Sequence, residues 1–303
     1  MVRQVLSIGE CMVELSQAGE GLLRKGFAGD TFNTAWYLRA LMPHDWHIGY
    51  MTGLGDDPLS GELLAFMRHA NIGTEAIRHI PGRAPGLYMI SLKDGERTFS
   101  YWRDTSAAKL LADDADHLRT AIEAADLVYF SGITLAILAP GAADTLLAEI
   151  RRARAVGKTI AFDPNIRPRL WSDRERMLEV ISAGARAATI VLPSFDDETA
   201  HFGDANVAAT IDRYLGLGAD TVVVKNGAQG ATIAEGGQTI FVPAVPPENV
   251  VDTTSAGDSF NGGFLAKLLT GATAAEAAAH GAAVASVVIA HHGALIDPAL
   301  LPR

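Results

Sequence analysis

Near the C-terminus runs Asp252-Thr253-Thr254-Ser255-Ala256-Gly257-Asp258-Ser259-Phe260, and the rest of the chain is organised around it. The segment before it, Phe241 to Val251, is strand-like and studded with prolines. The segment after it, Ser259 to Leu269, is an apolar run with helical spacing. Small residues at Ser255, Ala256 and Gly257 let the backbone turn sharply and bring successive N–H groups to the start of that helix. Unpaired amides and the positive end of the helix dipole make such a turn an anion site. Asp258 then stands where a carboxylate is unwelcome beside an anion. Its presence is explained if it removes a proton from a hydroxyl that is attacking a phosphate. Taken alone, Asp258 fits a helix N-cap as well, with Gly257 serving the turn.

The 303 residues are 49% hydrophobic, enough to bury a large core as one domain or as a domain with a small appendage. With 25 Lys and Arg against 35 Asp and Glu, the formal charge is −10, which argues against nucleic acid or an anionic membrane surface as partner. A phosphate ligand needs only local positive groups and is not excluded. The one cysteine, Cys11, rules out an intramolecular disulfide and fits a reducing cytoplasm. No apolar run reaches membrane-spanning length, and the N-terminus enters a strand directly, so a cytoplasmic location is expected.

Val5 to Ile8 reads as a buried first strand. Glu14 to Phe27 is polar and glycine-broken, more like loosely paired strands than helix. Gly29-Asp30-Thr31-Phe32-Asn33 opens a helix running to Leu41, and it fits a capped helix start or a ligand site equally. Gly53-x-Gly55 lacks the third glycine of a dinucleotide fingerprint. Pro85 to Leu92 and Arg97 to Arg103 read as a hairpin about Lys93-Asp94-Gly95-Glu96. Its Tyr88, Tyr101 and Arg103 suit a small anionic, hydroxylated ligand, or simple cross-strand packing.

From Asp113 onward helices alternate with short apolar strands at Asp126 to Ser131, Thr159 to Asp163, Thr189 to Leu192 and Thr221 to Lys225. That alternation predicts a parallel sheet covered on both faces, with ligands bound beyond the carboxyl ends of its strands. The rule selects Asp163-Pro164-Asn165-Ile166-Arg167, Pro193-Ser194, Lys225-Asn226-Gly227 and the Asp252 to Asp258 loop. Lys225, followed by the glycine-relieved loop to Gly230, is suited to phosphate oxygens, or else is a solvated lysine with its stem on apolar surface. No Walker A motif occurs anywhere. His291-His292 fits a helix end better than a metal site.

The Asp252 to Asp258 string resembles the C-terminal signature of the ribokinase-like (PfkB) sugar kinases, usually Asp-Thr-x-Gly-Ala-Gly-Asp. Ser255 stands where most members carry glycine, so a backbone torsion must be tolerated by serine. Gly9-Glu10, Gly29-Asp30-x-x-Asn33 and Gly53-x-Gly55-Asp56 occur in the family's order, and the resemblance spans nearly the full chain. Within the family the sequence is most similar to the bacterial kinases of 2-keto-3-deoxygluconate. Pro85-Gly86-Leu87-Tyr88, Glu96-Arg97-Thr98-Phe99-x-Tyr101-Trp102-Arg103 with Ala107-Ala108-Lys109, and Arg167-Pro168-Arg169-Leu170-Trp171 carry that likeness.

The resemblance implies one α/β domain over residues 1–303: a central, mostly parallel sheet flanked by helices, with a small β-sheet lid from roughly 12–28 and 85–103. In relatives that lid often forms a dimer interface, so a homo-oligomer is expected. The resemblance also implies ATP and Mg²⁺, transfer to a sugar-acid hydroxyl at C6, Asp258 as general base, and Ser255, Ala256 and Gly257 as the anion hole. Gly29, Asp30, Asn33, Tyr88, Tyr101, Arg103, Arg167 and Asp258 match substrate positions. Asn165, Arg167, Ser194, Lys225, Gly227 and Gly230 match the nucleotide side, along with the 255–257 turn. Ser194-Phe195-Asp196-Asp197 replaces the family's Asn-x-x-Glu, leaving Asp197 as an indirect metal contact. A kinase of fructose or of another keto-acid epimer, and a non-catalytic sugar-acid sensor, are the alternatives.

Overall fold

A computed structural model describes residues 3–93 and 96–302. The Asp94-Gly95 turn read from the sequence lies outside the described residues. Eight strands form the main sheet, in the spatial order Gln238–Val242, Ala231–Glu235, Thr221–Lys225, Ile190–Val191, Thr159–Asp163, Leu127–Ser131, Arg3–Ile8 and Trp46–Met51. The last six of these run parallel. The first two are an antiparallel hairpin that closes one edge.

Alternation along the strands explains the layering, since successive side chains leave a strand on opposite faces. Val128 and Phe130 enter one hydrophobic cluster, where Ala115–Ala124, Pro140–Ala155 and Arg174–Ala187 bury their apolar faces. Leu127 and Tyr129 enter the other, covered by Asp30–Leu41, Pro58–His69, Ala256–Leu269 and Ala274–Ile289. Asp114 and Asp173 cap their helices by accepting from the His117 and Arg176 amides.

The small sheet is real. Met12–Gly19, Leu22–Ala28, Leu87–Lys93 and Glu96–Trp102 pair in the order Leu22–Ala28, Met12–Gly19, Leu87–Lys93, Glu96–Trp102. Its central pair is parallel, with Glu14 beside Tyr88.

Two expectations change. The proline-studded run is not a strand over Phe241 to Val251: the ladder stops at Val242, because Pro243, Pro246 and Pro247 have no N–H to give it. The helix after it starts at Ala256 rather than Ser259. Short helices at Gly132–Ile137 and Phe195–Phe202 were not anticipated.

What holds the irregular stretch is Asp252. Its buried carboxylate accepts the Thr254 amide at 2.9 Å and the Gly293 amide at 2.8 Å. The Val251 and Asp252 amides in turn donate to the Ile289 carbonyl. The first residue of the signature is thus a clasp between the loop and the end of the last helix. Replacing Asp252 by Ala removes two charge-assisted bonds and is expected to cost about 3 kcal/mol, seen as a lower thermal midpoint; Asp252→Asn should cost less.

Candidate active site

Ser131 and Asp163 end two neighbouring parallel strands, and Lys225 ends a third, one strand farther on beyond Ile190–Val191; the loops singled out in the sequence follow from these ends. A cavity of ≈ 870 Å³ opens there, between the small sheet and the Ser255 to Asp258 turn. Gly29, Asp30, Asn33, Tyr88, Tyr101, Arg103, Asn165, Arg167, Ser194, Asp197, Lys225 and the four residues of that turn all line it. Gly227 and Gly230 do not; they sit in the adjoining turn with φ of 49° and 101°.

The turn works as the small residues imply, with one strained member. Ser255 is in the left-handed region, φ 65° and ψ 12°, where glycine pays no steric penalty. Among the described residues its buried hydroxyl oxygen finds no partner within hydrogen-bonding geometry. The Ala256 amide is not part of the anion hole, because it folds back onto the Thr253 carbonyl at 3.2 Å. Gly257 and Asp258 occupy the first turn, ahead of the first intrahelical acceptor, and theirs are the amides the helix end offers an anion.

Asp258 is not the helix cap. Ser255 holds the cap position, and the Asp258 carboxylate accepts from Asn33 Nδ2 at 2.8 Å. Asn33 Oδ1 in turn accepts the Gly29 amide at 3.3 Å. Gly29 itself packs so closely on the link between the Arg3–Ile8 and Met12–Gly19 strands that a Cβ would run into the Glu10 carbonyl, which accounts for glycine there without any ligand. Asp30 accepts from Asn165 Nδ2 at 2.8 Å. Asn165 holds a left-handed φ of 34° with its own amide on Asp163 Oδ1 at 3.0 Å.

Burial, and then the neighbouring Asp30 and Asp163, push the Asp258 carboxyl up to about 7, against the opposing pull of Asn33 and Lys225. Asp30 and Asp197 are also raised, chiefly by burial. A carboxyl poised near neutrality with a fixed orientation is suited to taking a proton.

Three residues differ from their expected surroundings. Lys225 is buried rather than solvated, donating to Asp163 Oδ2 at 2.9 Å and Asn261 Oδ1 at 3.1 Å. Arg103 is already paired with the buried Glu10, and it lies 6.0 Å from the Tyr101 ring centre. Arg167 reaches Asp197 Oδ2 at 3.6 Å and its neighbour's carbonyl at Ile166. Asn261 is the polar residue that the sequence reading missed; Glu10 and Asp163 were quoted there within motifs but given no partner or role. Tyr88 donates to Glu14, which fixes its ring against Tyr101 at 5.9 Å.

Among the described residues no group of three His, Cys, Asp or Glu is placed to hold a metal. Asp197, on the first turn of its helix, is the carboxylate of that stretch that lines the cavity; Glu198 is turned away onto Arg213 and Tyr214. Among the described residues no helix is long and apolar enough to cross a membrane.

The profile of pfkB family carbohydrate kinases matches residues 2–299. A 2-dehydro-3-deoxygluconokinase from Dickeya dadantii is 40% identical over 307 residues, covering 99% of each chain. Of solved structures, a PfkB protein from a Polaromonas species superposes with a TM-score of 0.83 at 27% identity, over 95% of this chain and 96% of that one. A fructokinase with bound ATP from Xylella fastidiosa shares the fold at a TM-score of 0.85 and 22% identity, over 100% of this chain and 96% of that one.

The raised Asp258 has a stability signature. Because its folded value lies above the 3.8 of an ordinary aspartate, ionisation favours the unfolded chain. The penalty is absent at low pH, grows as pH rises from about 4, and is complete above about 7. Asp258→Asn is therefore expected to stabilise the protein by at most about 4 kcal/mol, more at pH 8 than at pH 4.5, in paired thermal melts.

Proposed function

Because the chain belongs to the pfkB family of carbohydrate kinases, we propose that it transfers the terminal phosphate of ATP to the C6 hydroxyl of 2-keto-3-deoxygluconate (2-dehydro-3-deoxygluconate). The products are 2-keto-3-deoxy-6-phosphogluconate and ADP. One observation carries the substrate assignment: a cavity end walled by Tyr88, Tyr101 and Arg103, in a chain 40% identical over its length to a 2-dehydro-3-deoxygluconokinase. A sugar acid brings a carboxylate that a cation and aromatic wall suit, whereas a neutral ketose brings none.

The proposed steps follow from the residues. Arg103 holds the substrate carboxylate, with Glu10 fixing the guanidinium so that only part of its donor fork is left for the ligand. Asn33 orients the Asp258 carboxylate, which takes the C6 hydroxyl proton as that oxygen attacks the γ-phosphorus. The bond to the β–γ bridging oxygen breaks, and ADP leaves with its electron pair. The Gly257 and Asp258 amides and the unpartnered Ser255 hydroxyl meet the phosphate oxygens, and that orphaned polar atom supports an anion here. Asp197 would contact Mg²⁺ or its water shell; when bound, the ion neutralises charge across the phosphate oxygens. A magnesium ion held mainly by nucleotide oxygens and one carboxylate fits the lack of an all-protein cage among the described residues.

Self-association through the small sheet belongs to the same proposal, since its strands leave Leu22, Leu23, Phe99 and Trp102 exposed. A cytoplasmic site of action fits the single reduced cysteine and an ATP-dependent reaction.

Steady-state assays with 2-keto-3-deoxygluconate, its galacto epimer, fructose and ribose test the substrate; preference for a neutral sugar would end the sugar-acid reading. Asp258→Asn is expected to lower kcat by about 10²–10⁴-fold with sugar binding largely kept. Near-normal kcat would remove Asp258 as the base. Arg103→Ala is expected to raise KM for the acid about tenfold or more, with a smaller change in kcat.

A further inference from the structure

Beneath the anion turn lies a closed polar ring that the steps above do not use. Lys225 Nζ donates to Asp163 Oδ2 at 2.9 Å and to Asn261 Oδ1 at 3.1 Å, and Asn261 Nδ2 donates to the same Asp163 oxygen at 2.6 Å. The Asn261 amide also reaches the Tyr129 hydroxyl at 3.1 Å, and Thr34 connects that hydroxyl to the Asp258 carbonyl through contacts of 3.3 and 3.2 Å. All three ring members are at least nine-tenths buried. An ammonium has three donors, and the ring takes two. Nζ lies 3.5 Å from where a Cβ on Gly257 would stand, and Lys225 still lines the cavity. The third N–H has no protein acceptor among the described residues.

A buried ion pair of this kind adds little net stability compared with an apolar filling of the same volume. Its value lies in placing a fixed positive charge under the spot where phosphate oxygens gather. We propose that Lys225 is a catalytic residue whose third N–H meets the phosphoryl group in transit, and that Asp163 and Asn261 are positioning residues holding its ammonium beneath the Gly257 turn. This rests on the kinase reading above and changes the part assigned to Lys225, from nucleotide affinity to stabilisation of the transferring group. A donor that meets charge only as it develops lowers the barrier without tightening the ground state.

The same charge acts on the base. The charged and titratable groups facing Asp258 are Asp30 from the first long helix, Asp163 and Lys225 from two strand ends, and the neutral Tyr37 and Tyr129. Asp30 and Asp163 hold its proton on, and Lys225 works against them. Loss of Lys225 therefore moves the acid limb of the pH profile to higher pH. Loss of the Asp163 charge moves it lower.

The test compares the wild-type protein with Lys225→Met, Asp163→Asn, Asn261→Ala and the double variant Lys225→Met/Asp163→Asn, using ATP and 2-keto-3-deoxygluconate. The double variant keeps the volumes and removes both charges, so a folded protein remains available if Lys225→Met alone leaves Asp163 unpaired and does not fold. Lys225→Met and the double variant are expected to lose about 10²–10³-fold in kcat, with KM for both substrates within about threefold. Asn261→Ala should lose less kcat. The acid limb should move up in Lys225→Met and down in Asp163→Asn. A raised KM for ATP at unchanged kcat, near-normal turnover in the double variant, or limb shifts of the same sign would each overturn the assignment. Wild-type protein inactive on every sugar tested would instead sink the kinase reading, and this one with it.

Discussion

Three carboxylates sharing one small volume set the terms for everything at the strand ends. Asp258 feels the charges of both Asp30 and Asp163, and Asp30 feels that of Asp163, in surroundings that exclude most water. Like charges so placed would drive protons on or push the loops apart unless each had its own donor. The donors differ in kind. Asp258 and Asp30 receive neutral amides, from Asn33 and Asn165, while Asp163 receives the Lys225 ammonium and Asn261. An amide fixes a carboxylate's direction while lowering its proton affinity less than a cation would. The carboxylate proposed to take a proton is thus oriented by a neutral partner, and the one that anchors the ring is paired with a charge.

The cavity then has two chemically distinct ends. One is made of amide donors at a helix start, with no side-chain flexibility to lose when an anion arrives. The other is made of lid aromatics and an arginine already engaged by Glu10. A formal charge of −10 for the whole chain has little bearing on either end, because each supplies positive character locally, through helix-start amides at one and Arg103 at the other.

Much of this was legible in sequence where the signal was local. The Asp252 to Asp258 string combined small residues, a helix start and a misplaced carboxylate within seven positions, and the strand–helix alternation after Asp113 placed its companions at one sheet edge. The edge hairpin was missed although Gly236-Gly237 separates two β-prone runs, because the prolines farther on drew the strand past Val242. Asn261 is a buried polar residue flanked by Phe260, Gly262, Gly263 and Phe264 and has the look of an incidental core substitution. Its meaning comes from Asp163, 98 residues away, just as Arg103 acquires its partner from Glu10 across 93. Pairings over such distances carry no periodicity or spacing to read. Ser255 was the reverse case: the departure from glycine was visible, and the torsion it must bear is what the structure contains.

The clasp at Asp252 couples two regions that differ in apparent importance. Its carboxylate reaches Gly293, beyond the last long helix, while its backbone leans on Ile289 near that helix's end. The segment around Ile289 and Gly293 is therefore part of the scaffold that holds the Ser255 to Asp258 turn in place. A change at Gly293 or Ile289 would be felt at the turn through the Asp252 carboxylate and backbone, without touching any residue that lines the cavity.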